Sequence, residues 1–241
     1  MQTSNPTLGT FDRVGSSAGY DAMTVEGTIF KTGILAVILT TCFAVAWASV
    51  GVHASVGILI GAASIVGLIL ALIISFVPKT APYLSPLYAA AEGFALGFIS
   101  YLMEAAYPHI VLPAAACSLA TLFAMLIAYR SGLIRVNNTF RAVIGGAMLA
   151  ICLYYVVGWI ASFFGVHLLG LGLEGGWLSI GISIVVVVVA ALSLALDFDF
   201  IARNAGSAPK YMEWYGAFSL MVTMVWLYLE ILRLMAKLRK R

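Results

Sequence analysis

What limits this chain most is a succession of apolar runs, each close to twenty residues long and separated by short polar connections. Crossing about 30 Å of hydrocarbon takes about twenty helical residues. Backbone polar groups in lipid must find partners within their own segment, so such runs fold as helices. The runs fall at 28–50, 54–77, 87–106, 113–129, 142–164, 177–196 and 214–234. Composition agrees: 63% of the residues are hydrophobic and 10% charged, where soluble domains carry roughly a quarter charged. Mean hydropathy is +1.05. The expectation is an all-α integral membrane protein with a tail over 1–27 and a seven-helix transmembrane domain over 28–241.

Residues 1–27 are polar and lack the basic start, apolar stretch and cleavage site of a signal peptide. They read as a flexible cytoplasmic tail where soluble partners or membrane proteases could engage. The connections at 51–53, 107–112 and 165–176 contain no Lys or Arg, whereas the tail and the remaining connections hold eight, from Arg13 to Lys210, counting Lys31 just inside the first run. The positive-inside rule then puts the N-terminus in the cytoplasm. Seven crossings send the C-terminus outside, although Arg233, Lys237, Arg239, Lys240 and Arg241 lie there. A re-entrant last segment is the alternative. The net charge of +3 sits in loops and at the C-terminus, which suits orientation and phospholipid contact better than nucleic acid. Short loops and wall helices of low charge point to a bacterial inner (plasma) membrane.

Cys42, Cys117 and Cys152 each lie inside an apolar run without a CxxC pair, and read as small buried hydrophobes. Gly57 with Gly61, Gly93 with Gly97, and the pair Gly145-Gly146 stand at spacings that let helix backbones approach closely.

Acids at membrane depth are the informative residues, because each costs roughly 2.5–3.5 kcal/mol on insertion scales and marks a site by default. Asp12, Asp21, Glu26 and Glu174 lie outside the runs, and Glu104 lies at a helix end where snorkelling suffices. Glu92 lies one turn into the third run, at a depth similar to that of Lys31 in the first, so a Glu92–Lys31 or Glu92–backbone contact is expected, with an ion-pathway or proton-sensing role, shared with Asp197, Asp199 and Glu230, as the second reading. Asp197 and Asp199 stand two apart, about 200° around a helix, and so face different neighbours. Asp199 has Arg203 four residues on, a pairing distance. Asp197 has no local partner and lies deeper. Glu230 has Arg233 three residues on, yet sits inside the last run. Two acids close together in low dielectric would share a proton, and oxygen ligands suit Ca²⁺.

At these residues the chain resembles the Bax inhibitor (YccA-like, transmembrane BAX-inhibitor motif) family. Leu196-Asp197-Phe198-Asp199-Phe200-Ile201 is similar to the acid-containing end of that family's sixth helix. Leu227-Tyr228-Leu229-Glu230-Ile231-Leu232 is similar to its last helix, and Leu87-Tyr88 through Gly93 and Gly97 to its third. The resemblance implies a six-helix wall around a central C-terminal helix. It also implies a pH-sensitive calcium leak gated by paired acids, with Asp197 the helix-six member and Glu230 the helix-seven member. Both are then candidate Ca²⁺ ligands.

Other classes fit less well. An intramembrane aspartyl protease needs two Asp sharing one proton, and no Gly-x-Gly-Asp motif is present. His53, His109 and His167 fall in connections, and there is no H-E-x-x-H. No cofactor motif and no enzyme activity are expected. A non-transporting regulator, binding membrane proteases or other membrane machinery through its tail, is the second reading.

Overall fold

The structure, a computed structural model, describes residues 22–49, 56–165 and 176–240, with the backbone alone over 56–60. The tail over 1–21, most of the connections on either side of His53 and His167, Gly57's packing and Glu174 lie outside the described residues. Seven long helices follow one another among the described residues: α1 Val25–Ser49, α2 Val56–Phe76, α3 Ala81–Ala106, α4 Val111–Arg130, α5 Asn138–Phe163, α6 Trp177–Asn204 and α7 Met212–Arg239. There is no strand among the described residues. Five of the helices are each long and apolar enough to cross a membrane. The α2–α3 pair, bent by 119° across the 3-10 turn Pro78–Thr80, adds a sixth span if counted as one.

Cross-helix contacts fix the directions. Gly93 meets Leu39 and Gly97 meets Phe43, so α1 and α3 run parallel. The ring of Tyr88 stacks edge-on against Phe218, and Ser100 Oγ lies 2.7 Å from Tyr228 Oη, so α3 and α7 run parallel too. Asp197 pairs with Ser219 and Thr223 while Ser183 meets Lys237, which makes α6 antiparallel to α7. Arg239 of α7 reaches Pro108 O beyond the end of α3, so α7 runs unbroken from one end of the bundle to the other. At 28 residues it is about 42 Å long. It is one continuous helix.

α7 is the most enclosed helix. In its most apolar window 56% of residues are buried, against 11% in α1 and in α5. It packs on α1, α3, α4 and α6. The wall helices turn outward side chains such as Val37, Leu68, Ile127 and Trp159, the surface that lipid would cover.

Helix ends depart from the apolar runs because polar residues extend them. α1 begins at Val25, inside the stretch read as tail, and residues 22–24 are already part of the body. α3 begins at Ala81, carrying Pro86 within its first two turns. α6 continues past Leu196 to Asn204. Of the small-residue sites among the described residues, only Gly93 and Gly97 bring backbones together; a Cβ on Gly61, Gly145 or Gly146 would meet nothing within 4 Å. Cys117 and Cys152 point outward and Cys42 is half-buried, so the cysteines are mostly not core residues.

Candidate functional site

The charged site lies where the end of α6 meets the starts of α5 and α7. Asp197 is 8% exposed. Ser219 Oγ donates to its Oδ1 at 2.5 Å and Thr223 Oγ1 to its Oδ2 at 2.6 Å. Serine and threonine four apart on α7 stand one above the other, so a single carboxylate spans both. Its direct partners are neutral hydroxyls, not cations.

Asp199 lies on the other flank of the same helix. Its Oδ2 is paired with Arg141 of α5 and, at 2.8 Å, with Arg203 Nε of its own helix. Tyr129 Oη stands 3.5 Å from Oδ1. Arg203 also donates from Nη2 to Val136 O at 3.1 Å, tying the α4–α5 connection to α6. The two arginines are 40% and 57% exposed. Between the two acids opens a cleft of about 400 Å³, floored by Leu196, Phe200 and Asn204 and closed by Tyr215 and Ser219 of α7. Residues 196, 200 and 203 form one helical face. Asp197 and Asp199 flank it, so the two acids line one cleft while pointing their carboxylates at different neighbours.

Glu230 is buried farther along α7. Tyr155 Oη donates to its Oε1 at 2.6 Å and Arg233 Nη1 at 2.8 Å, and Arg233 also donates to Tyr155 Oη at 3.0 Å. Asp197 and Glu230 are not brought together. Thr223, which Asp197 grips, and Glu230 are seven residues apart, or about 10 Å along the helix. The paired-acid arrangement and a Ca²⁺ ion held jointly by Asp197 and Glu230 therefore do not fit this geometry. Among the described residues no three His, Cys, Asp or Glu side chains gather as cation ligands.

Lys31 is paired with Glu213 at the start of α7, not with Glu92. Thr24 donates to the same carboxylate from its backbone N at 2.9 Å and from Oγ1 at 2.8 Å. Lys31 Nζ also lies 5.6 Å from the centre of the Trp214 ring. Beside this clasp, Met23 N donates to Ala208 O at 2.7 Å and Gly206 N to Met23 O at 2.8 Å. The segment before α1 is thereby strapped to the α6–α7 turn. Glu92 instead lies along α2, where a Cβ on Gly67 would come 2.7 Å from its Oε1. Glu104 does more than snorkel: it accepts from the backbone N of His109, Ile110 and Val111, capping the start of α4.

Sequence reasoning passes over several partners, Glu213, Tyr155 and Lys237 among them. A signal for the last was present: Thr223, Glu230 and Lys237 recur at intervals of seven, two helical turns each.

A family model described as Bax inhibitor 1 like matches residues 5–240, nearly the whole chain. No curated protein and no solved structure matches it. With an all-helical bundle, apolar spans and a match of that extent, the chain is a multi-pass membrane protein that belongs to the Bax inhibitor 1 like family.

Proposed function

We propose that this protein is a pH-sensitive cation leak, with Ca²⁺ as a permeant ion, and that it transports rather than catalyses. Its setting in this reading is a bacterial inner membrane, with the N-terminus in the cytoplasm. The observation that carries the proposal is a polar stripe along the most enclosed helix. Ser219, Thr223, Glu230 and Lys237 fall within about 40° of one another on α7 and cover about 27 Å of its length. They meet Asp197 and Ser183 of α6 and Tyr155 of α5. Polar groups at membrane depth are costly, and they are kept where they line a path or a cavity.

Against that stripe, Asp197 of α6 is the group suited to respond to pH. Hydroxyls hold it, so taking up a proton strands no partner charge at close range. The charged groups facing it across the cleft are Asp199, Arg203 and Arg141, already engaged with one another. They form the mouth.

The test is Ca²⁺ entry into dye-loaded liposomes between about pH 6 and 8. Wild type conducts with a pH-dependent rate, Asp197→Asn loses the dependence, and Glu230→Gln lowers the rate but keeps it. A wild type that passes no cation at any pH sinks the leak. The regulator would then lead, favoured by one observation: the strap at residues 22–24 makes the tail a handle on the α6–α7 turn.

A further inference from the structure

The cleft over α6, between the starts of α5 and α7, carries both signs of charge and keeps them apart. At its rim one carboxylate, Asp199, is shared by two guanidinium groups, Arg141 and Arg203. Each guanidinium has five N–H donors. Among the described residues Arg141 donates to Asp199 alone, and Arg203 to Asp199 and Val136 O. Both therefore keep donors to spare, and both side chains reach solvent. Two residues farther from the end of α6, Asp197 is held by hydroxyls rather than by a cation. Leu196 and Phe200 make the floor between them apolar. The cleft also stands at interface level: Arg141 is in the first turn of α5 and Arg203 in the last turn of α6. Lys79, Arg130, Arg135 and Lys210 are exposed at the α2–α3, α4–α5 and α6–α7 turns of the same end, a girdle of bases suited to lipid phosphates. Two residues past Arg141, Val143 already turns outward from the apolar wall.

We propose that this cleft binds the phosphoethanolamine headgroup of a membrane phospholipid. The four charged groups that line it sum to zero, but the surplus positive charge lies at the arginines and the negative one at Asp197. A simple anion at the arginines would face Asp197, and a simple cation at Asp197 would face the arginines. A zwitterion satisfies both. Phosphoethanolamine separates its phosphate from its ammonium by two carbons, and Asp199 and Asp197 are about 3 Å apart in helix rise. The phosphate accepts from the spare N–H groups of Arg141 and Arg203, a match that guanidinium favours. The ammonium donates to Asp197. The acyl chains continue along the outward wall at Val143, an attachment that a soluble zwitterion lacks. This site goes beyond the leak and does not depend on it.

The test is titration calorimetry on the purified full chain in a maltoside detergent, which contains no phosphate. The probes are dihexanoyl phosphatidylethanolamine, dihexanoyl phosphatidylglycerol and free phosphoethanolamine. The expected result is that the phosphatidylethanolamine binds about tenfold or more tightly than either of the others. Arg203→Gln weakens both lipids, whereas Asp197→Asn weakens the phosphatidylethanolamine alone and removes its lead. Equal binding of the two lipids to wild type overturns the zwitterion and leaves a plain phosphate site. Free phosphoethanolamine binding as tightly as the lipid overturns the membrane source. Binding that neither variant alters, or no saturable binding at all, overturns the cleft as the site. Should Asp197→Asn not fold, dihexanoyl phosphatidylcholine on wild type carries that arm. Its ammonium is fully methylated and has no N–H for Asp197, so weaker binding than the phosphatidylethanolamine supports the site and equal binding overturns it. None of these readouts needs ion flux. A protein that binds the lipid but passes no cation loses the leak and keeps the site, and one that conducts without binding it loses the site alone.

Discussion

Two parts of this bundle are joined in opposite ways. Where α3 crosses α1, Gly93 and Gly97 set backbone against backbone, with Leu39 O and Phe43 O directly over the missing side chains. Around α7 the helices are joined by polar side chains: Glu213 with Lys31, Asp197 with two hydroxyls, Glu230 with Tyr155 and Arg233, Lys237 with Ser183. Lipid supplies no hydrophobic drive for helix association, so close packing and hydrogen bonding are the two means available. They differ in what they allow. A glycine seam has one state. A carboxylate held by hydroxyls has two, protonated and not.

The contrast can be broken most forcefully at Glu213. Its carboxylate is nearly inaccessible and Lys31 is only 14% exposed, so Glu213→Ala leaves a cation and the Thr24 donors without their partner. Losing one member of a buried pair costs about 3–5 kcal/mol. The thermal midpoint in detergent falls accordingly, and Lys31→Met added to Glu213→Ala restores part of it. The glycine seam comes next. Gly93→Val drives a branched side chain into Leu39 O, with a loss of about 1–3 kcal/mol in the same assay. Gly145→Ala is the control, because its Cβ meets nothing within 4 Å, and it gains about 0.5–1 kcal/mol from the stiffer helix. The smallest effect belongs to Arg203→Ala. At 57% exposure, with Arg141 still holding Asp199, it costs about 0.2–1 kcal/mol and less at high salt. A large loss there would show that the mouth is as tightly built as the clasp at Glu213.

How much of this was legible depended on sequence distance. Apolar runs of spanning length announced seven helices because lipid leaves the backbone no alternative, although only five of them qualify individually as spans. Pairs within one turn could be read off directly: Asp199 with Arg203, and Glu230 with Arg233. So could the divergence of Asp197 and Asp199. Pairs between helices could not. Lys31 and Glu213 lie 182 positions apart, Tyr155 and Glu230 75, and no periodicity links them. The same blindness led Glu92 to be matched with Lys31 by depth alone. It also joined Asp197 to Glu230 across a distance that only the register of α6 against α7 determines. Glycine was misread for a related reason: Gly93 and Gly145 look alike in a helical run, and what each one faces is decided by a partner the run does not name.

The Lys31–Glu213 clasp also constrains how the chain is made. α1 leaves the ribosome first and α7 last, so Lys31 waits through the synthesis of five intervening helices before its acid exists. Until then Arg141 on α5 and Asp199 near the tip of α6 can already meet, but Lys31, Thr24 and Asp197 lack the partners that α7 brings. An unfinished molecule therefore carries its own mark of incompleteness at the N-terminal end, which the arrival of Met212–Arg239 erases.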